Sequence, residues 1–527
     1  MLMQFFRVTV LVFAALGIAA CDGGDGERHP VPAASGLSPS TATAEGPAFT
    51  LTVKGSRFVS KSEVHWNGSP RTTTFVSSTE LRAAINAADI ADGGTAAVTV
   101  YNRPPGGGTS SILDFMVVVP SPVVQLVPSQ PAVLPGHVVT LTWTTRFAAS
   151  CAASGGWSGA RAPSGTETVG PLRVDSSFAI ECTGPSGTGQ AQTLIRIGIP
   201  IYQATELGSL GGPATFASHI NEAGQVVGAS ETASQFLPPF YVSNAFLYTD
   251  GTMTGLGTFG GIDSSAYGVN DLGQVVGSAD RFPPMKGGSF PPPTPHAFLF
   301  SDGKMTDLGL LVSADPLATS HAHGINNAGQ VVGCARDLCP FLYSAGVMTA
   351  LMPSGVVQLD PRDINDAGQV VGQVSDVAAL WSGGELLILG TLGGPSSHVA
   401  AINSSGQIVG YSYTAASTID KPVMHAFVYR DGQMIDLGTL GGSDSNALGI
   451  NDAGAVVGFA DTPENLEHAF LYSGGKMFDL NTCLAEPNGV VLSRAEDINN
   501  HGQMVAISWD SRKSYVLSPT GGVCVQH

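Results

Sequence analysis

The chain has 527 residues, only 12% of them charged, with 67 glycines and 34 prolines; this is the composition of an extracellular β-rich protein rather than a helical cytosolic one, and the length leaves room for roughly three or four domains. Net charge is −18, from 41 acidic and 23 basic residues. No basic cluster stands outside the start of the chain, which argues against nucleic acid as a partner and leaves a solvated acidic surface that keeps the protein in solution.

Arg7 precedes an uncharged apolar run from Val8 to Ala20, too short to span a bilayer comfortably and of the length of a signal h-region. The run ends Ile18-Ala19-Ala20-Cys21, which resembles a bacterial lipobox. The resemblance implies cleavage before Cys21 and a diacylglycerol on its thiol; the alternative is an ordinary signal peptide with a cysteine nearby. Residues 1–20 are therefore expected to be a lipoprotein signal peptide and 21–33 a flexible tether. Two or more acyl chains anchor a protein stably where one holds it marginally. Asp22 further resembles an inner-membrane retention signal of enteric-type bacteria. The expected location is the bacterial cell envelope, with the membrane as partner through the lipid on Cys21 and the chain facing the periplasm or exterior.

Without Cys21, six of the seven cysteines remain: Cys151, Cys182, Cys334, Cys339, Cys483 and Cys524. An even set in an oxidising compartment points to disulfides. Nearest-neighbour pairing gives Cys151–Cys182, Cys334–Cys339 and Cys483–Cys524, one of the roughly 15 connectivities open to six cysteines. Metal ligation is the alternative, but neither Cys-x-x-Cys nor a Cys/His spacing supports it.

Residues 34–118 read as short strands separated by turns. Phe49–Val53 alternates apolar and polar residues, Val64-His65-Trp66 enters an Asn67-Gly68 hairpin turn, and Thr95–Tyr101 alternates again. Gly55, Phe58, Trp66-Asn67-Gly68, Thr79-Glu80-Leu81 and Ala97-Val98-Thr99-Val100 together resemble the IPT/TIG immunoglobulin-like family, whose members in envelope proteins serve as spacers or adhesive modules. Residues 119–200 read as a second immunoglobulin-like sandwich, with Val139, Leu141 and Trp143 on one strand face and Thr140 and Thr142 on the other. In an antibody-type domain the tryptophan lies between the two cysteines. Here Trp143 precedes both, so Cys151–Cys182 is expected to join neighbouring strands. Neither domain carries a catalytic constellation, and both read as a lever arm.

From residue 201 to 527 one phrase recurs seven times, Ile-Asn-x-x-Gly-Gln-Val-Val-Gly with small variations. Its asparagines are Asn221, Asn270, Asn326, Asn365, Asn403, Asn451 and Asn499, spaced by 49, 56, 39, 38, 48 and 48 residues; about 40–50 residues is one propeller blade. Each copy parses into four strands: one ending in Ile-Asn, one carrying Gln-Val-Val-Gly, one of the His-Ala-Phe-Leu-Tyr type, and one carrying Met and Leu after a turn such as Asp250-Gly251. The wording His-Ala-Phe, Met-x-Asp-Leu-Gly-x-Leu-Gly-Gly and Ile-Asn-x-x-Gly-Gln-Val-Val-Gly resembles the bacterial extracellular HAF-repeat family over residues 202–527, which implies fold and location rather than an activity. Repeat four departs in its third strand, with Ala379-Leu380-Trp381, and repeat seven in Met504-Val505-Ala506. Two segments compete to complete the last blade, Tyr202–Gly208 and Val523–Val525, and the sequence leaves that choice open.

Residues present in every copy read as structural. The asparagine bonds its own turn and the glycine supplies positive φ, Met/Leu and Phe/Tyr positions pack blade on blade, and His296, His425 and His468 bond at strand ends. His321-Ala322-His323 places two imidazoles on one strand face, but without a third ligand no metal is expected, nor any cofactor. No Ser-x-Asp-x-Gly-x-Thr-Trp box, Gly-x-Ser-x-Gly elbow or Trp-Asp ending occurs, and no catalytic residue is assigned. In a four-stranded meander the second-to-third and fourth-to-first connections share one end, and there the lengths vary. Variable loops on a rigid scaffold carry binding. Glu231–Val242, Ser278–Pro295 and Tyr411–Met424 hold Phe236, Phe240, Tyr241, Arg281, Phe282, Lys286, Phe290, Tyr411, Tyr413 and Lys421, aromatics and cations suited to a glycan or protein ligand, unless they only pack on one another.

The sequence thus predicts an all-β protein, two immunoglobulin-like β-sandwiches followed by a seven-bladed β-propeller of four-stranded blades. It is expected to be a monomeric, lipid-anchored binding or adhesion protein that is not an enzyme. A polysaccharide hydrolase or lyase with carboxylates near the channel is the alternative, and a purely structural envelope component is a third.

Overall fold

The structure, a computed structural model, describes residues 28–233, 242–282, 292–309, 317–335, 338–351, 359–418, 420–486 and 489–526. The expected signal peptide and Cys21 lie outside the described residues, as do Phe236, Phe240, Tyr241, Lys286 and Phe290. Among the described residues the only helical segments are two short 3-10 turns, Ala87–Ile90 and Leu480–Cys483. All other regular structure is strand.

The first sandwich pairs a sheet of Ala33–Ser38, Phe49–Ser56, Glu80–Ile85 and Thr73–Ser77 with one of Thr41–Thr43, Leu113–Val118, Gly94–Asn102, Glu63–Trp66 and Ser69–Arg71. Alternation builds its core: Leu51, Val53, Leu81, Val98, Val100 and Phe115 are all fully buried, with Trp66 packed 5.0 Å from the Phe115 ring. The Asn67-Gly68 turn has positive φ at both residues, as a tight hairpin of that type requires. The second sandwich has a three-stranded sheet (Val123–Pro128, His137–Arg146, Gly165–Leu172) and a five-stranded one. In the latter Cys151 on Ser150–Gly155 and Cys182 on Ser176–Gly184 are bonded across neighbouring strands. The chain forms two compact units, the second comprising residues 128–141, 167–178 and 193–527.

The repeats form seven separate four-stranded antiparallel sheets, here numbered by their asparagines. Sheet one is Gly211–Ile220, Val226–Thr232, Val242–Thr249 and Thr252–Gly257, and sheets two to six follow the same order. Sheet seven takes three strands from the C-terminus, Arg494–Ile498, Met504–Ser508 and Lys513–Cys524, and its fourth, Ile199–Glu206, from the beginning of the region. This resolves the competition for the last place: Val523 and Cys524 extend the third strand and pair with Pro200 and Ile199. The disulfide Cys483–Cys524 ties that strand end to the 3-10 turn, and Cys334–Cys339 ties the second and third strands of sheet three.

Each first strand packs against the first strand of the next sheet, and the seventh returns to the first. The core lies between consecutive sheets. Phe246, Phe298, Phe341, Phe427 and Phe470 of the His-Ala-Phe strands are fully buried there, and Phe298, for instance, packs against Val227, Ala245 and Ala266. His296, His425 and His468 reach with Nδ1 to Asp307, Asp436 and Asp479 of the fourth strand, at 3.0, 2.8 and 2.8 Å. The His and the Asp of the two repeated phrases are therefore partners.

Candidate functional site

The first strands meet in a ring of asparagines. In each copy the asparagine Oδ1 accepts the backbone N–H four residues on, while the glycine between them has φ from +71° to +79°. The asparagine Nδ2 donates to the carbonyl of the next sheet's asparagine, seven bonds of 2.9–3.2 Å that run from Asn221 through Asn499 and back to Asn221. In six copies Nδ2 also bonds the glutamine that follows; in the sixth copy that residue is Ala455. One repeated residue thus builds the turn and joins the sheets.

Counting back from each asparagine separates two kinds of position. The residues one, four and six before it are buried in every copy. They are Ile or Val, then Ala, Val or Pro, then Ser, Thr or Leu. Four of the serines stitch their sheet to the preceding one. Ser445 Oγ accepts from Ala426 N at 2.8 Å and donates to Gly438 O at 2.6 Å, and Ser264, Ser320 and Ser397 do the same. The residues two, three and five before the asparagine differ from copy to copy. Two before, they are His219, Gly268, Gly324, Asp363, Ala401, Gly449 and Asp497; three before, Ser218, Tyr267, His323, Arg362, Ala400, Leu448 and Glu496.

The residues two and three before the asparagine line the axis. A mouth of about 300 Å³ lies at the asparagine end, lined by every one of the seven sheets. An inner chamber of about 170 Å³, also lined by all seven, holds His219, Tyr267, His323, Arg362, Asp363, Glu496 and Asp497. A third cavity of about 370 Å³ shares Arg362, Ala400 and Leu448 with the chamber and adds Gln373, His398, Tyr411 and Asn446.

Burial dominates the electrostatics. It pushes Glu496 from 4.5 up to about 7 and His323 down to about 4. Asp363 and Asp497 are also raised by burial, opposed by His219 and by backbone donors. Asp497 Oδ2 accepts Ile220 N at 3.0 Å and Asp363 Oδ2 accepts Ile402 N at 3.0 Å, each in the next sheet. His219 Nδ1 lies 3.1 Å from Asp497 Oδ2, close but not aligned as a hydrogen bond. Perturbed carboxyls and imidazoles converging in one cavity are what binding and catalytic sites have in common.

Of the expected ligand residues, five are described, and they are not brought together. Arg281 and Phe282 belong to sheet two, Tyr411, Tyr413 and Lys421 to sheet five. Two corrections follow. Tyr411 and Tyr413 lie within the strand Ile408–Thr414 rather than in a loop, because the alternation of that strand continues past its glycine. Arg281 ends its strand and faces Asp307 at 3.7 Å. Phe282 and Lys421 are exposed. Tyr411 stacks on His398 at 4.7 Å and packs edge-on to Tyr413 at 6.2 Å; it alone of the five lines a described cavity. A second aromatic group joins sheets six, seven and one. The Arg494 guanidinium lies 4.1 Å from the Phe459 ring and 5.4 Å from that of Trp509, and Trp509, 43% exposed, lies 5.6 Å from Phe216. His321 and His323 stand 6.4 Å apart. Among the described residues the one grouping of three metal-ligand types is Cys334, Cys339 and Asp360, and its cysteines are disulfide-bonded.

Apart from His323, weighed as half of a metal pair, the chamber residues escaped the sequence reading, which sought binding in loop lengths. The signal was nonetheless present, since His219, Asp363 and Asp497 stand where other copies have glycine or alanine.

A family model for the IPT/TIG domain matches residues 32–117. No curated protein matches the chain. Among solved structures it is similar to an auxiliary nutrient binding protein from Bacteroides ovatus (9% identity, 93% of this chain and 98% of that one, TM-score 0.29). It is also similar to the β-propeller domain of the Trilobed protease from Pyrococcus furiosus (9%, 77% and 98%, TM-score 0.30) and to a gluconolactonase from Xanthomonas campestris (10%, 61% and 97%, TM-score 0.29). With TM-scores below 0.5, none of these likenesses carries an argument about function. The disulfides and the TIG domain are features of an extracellular or envelope protein.

Proposed function

We propose that this chain is a lipid-anchored recognition protein of the bacterial cell envelope, monomeric and without catalytic activity. In this reading the seven sheets are the blades of one seven-bladed β-propeller of the HAF-repeat kind. Cys21 carries the anchor, the two sandwiches are the spacer, and a glycan or protein ligand is engaged at the axial cavities and the aromatic strand ends around them. The observation that carries the reading is the division within the repeat. Positions that pack are the same kind of residue in all copies, whereas positions lining the axis vary and install His, Asp, Glu, Arg and Tyr. Variation confined to a concave, polar-lined surface on a rigid frame is what a binding site requires.

A hydrolase or lyase is the second reading, and the carboxyls of Asp363, Glu496 and Asp497 favour it, because raised carboxyls serve as general acids. Retention of polysaccharides and envelope fractions by the full chain, with mass spectrometry of what is recovered, separates the two. An unaltered ligand supports recognition; a shortened one overturns it. In the recognition case Tyr411→Ala and Trp509→Ala should each weaken binding about tenfold, the contribution of a stacked aromatic, with no change in melting temperature beyond a few degrees.

A further inference from the structure

We propose that the inner chamber binds an organic cation, a primary ammonium or guanidinium group, held by the carboxylates of Glu496, Asp363 and Asp497. The inference deepens the reading of the axis as a ligand site and rests on it.

Charge balance is the first ground. The chamber carries three carboxylates, and the guanidinium groups near them are engaged elsewhere. Arg362 Nη2 donates to Asp360 at 3.1 Å, and Arg494 holds Glu467 through two bonds of 2.6 and 3.1 Å. His219 remains, close to Asp497 but not aligned with it, its Nδ1 buried without a hydrogen bond. Carboxylates in a cavity without a hydrogen-bonded counter-ion are costly, and a cation that enters recovers that cost.

Glu496 is the second ground. Glu496 lines the chamber, is only partly exposed, and its carboxylate accepts no hydrogen bond from any described residue. Asp363 spends both oxygens on backbone N–H groups, Oδ2 on Ile402 of the next sheet and Oδ1 on Ile364, and Asp497 spends Oδ2 on Ile220; Glu496 spends neither. A carboxylate so placed takes a donor from a ligand, and a charged donor gives the stronger bond.

The third ground is how the chamber is cut. A Cβ on Gly324 would stand 3.0 Å from Asp363 Cα, and one on Gly449 would stand 2.8 Å from both Asp497 Cα and its Oδ1. Each aspartate is therefore accommodated by a glycine at the same position of the preceding sheet. The stacked rings of Tyr267 and His323, 6.0 Å apart, form a wall of the kind that faces cations. A volume of about 170 Å³ admits an ammonium or guanidinium group on a short chain, given about 30 Å³ for one water.

Titration calorimetry on the full chain with putrescine, arginine methyl ester, calcium chloride and neutral oligosaccharides tests this. Saturable binding of putrescine or the arginine ester, weakened about tenfold or more by Glu496→Gln and unchanged by Val347→Ala at an exposed strand of sheet three, is expected. The Glu496 side chain makes no hydrogen bond with any described residue, so its glutamine variant should fold; circular dichroism checks that directly. Binding of calcium alone overturns the organic cation. Oligosaccharide binding that Glu496→Gln leaves intact, with no response to either amine, overturns it while the axis remains the ligand site. Ligands that bind with equal affinity to Glu496→Gln and Tyr411→Ala defeat both readings.

Discussion

The asparagine ring and the chamber beside it are built from neighbouring residues of the same seven strands, yet they obey opposite rules. In the ring every polar atom has a partner. Each Nδ2 closes onto the next sheet, and each Oδ1 takes the turn N–H. The same solution is used seven times because the geometry repeats seven times. Two residues earlier the copies diverge, and charged groups are buried with partners for only some of their atoms. In a protein that repeats itself, agreement between copies marks what the fold needs, and local disagreement marks what the fold tolerates for another purpose.

Breaking the ring is the most direct challenge to that contrast. Asn326→Ala removes the donor to Asn365 O, the acceptor for Gln330 N and the bond to Gln330 Oε1, all in a buried turn. Leaving buried backbone groups unpaired costs about 1–3 kcal/mol each, so urea denaturation should show a loss of about 3 kcal/mol, with ligand binding at the axis retained. A loss below about 0.5 kcal/mol would mean that the sheets are held by apolar packing alone and that the repeated asparagine has some other reason.

Glycines sharpen the contrast, because two of them at one repeat position face different neighbours. Gly449→Ala forces a Cβ to 2.8 Å from the backbone of Asp497, which must shift. Gly268→Ala meets the Val276 side chain at 3.3 Å, the His323 carbonyl at 3.4 Å and the Ile325 side chain at 3.6 Å. Overpacking against backbone costs about 1–3 kcal/mol, so the first variant should lose about 2 kcal/mol and the second well under 1. Equal losses would show that the glycines serve the strand bulge common to both rather than the aspartate.

How much of this was legible beforehand follows from the same division. Four-stranded sheets could be read because each strand carries its own local signal: the positive-φ glycine, the alternation, and the Asp-Gly turns at Asp250, Asp302 and Asp431, all with φ near +50°. Closure by Ile199–Glu206 could not be read, since that pairing joins strands some 310 residues apart in sequence and two segments fitted it equally well. The bond from one asparagine to the next sheet was likewise hidden, because a turn asparagine explains itself locally. Tyr411 was singled out for the right type and the wrong setting. The loop expected around it is strand, and the ring stacks on His398 and lines a cavity that only folding creates. The chamber was missed because its members come from seven strands, and a site assembled in space leaves no motif. What it does leave is a mismatch in the repeat at His219, Asp363 and Asp497.

The finest test of the contrast is the pH dependence of stability, which distinguishes a carboxylate placed for the fold from one the fold merely bears. Glu496 is raised from 4.5 to about 7 by burial, with Arg494 as the main opposing influence and Glu467 and Asp497 reinforcing the rise. Below about pH 4.5 the group is protonated in both folded and unfolded chains and contributes nothing. Between about 4.5 and 7 the folded chain holds a proton that the unfolded chain releases, so stability falls as pH rises through that window. Above about 7 the folded chain carries the buried charge and the full cost is present. Glu496→Gln removes the cost. At pH 8 the variant should be more stable than the parent by about 1–2 kcal/mol, allowing for water in the cavity, and at pH 4 the two should agree. A carboxylate that served the fold would behave in the opposite way: its replacement would destabilise at pH 8. That result would place Glu496 with the ring, as one more satisfied group of the scaffold, and would leave the chamber without the unmet charge that makes it a site.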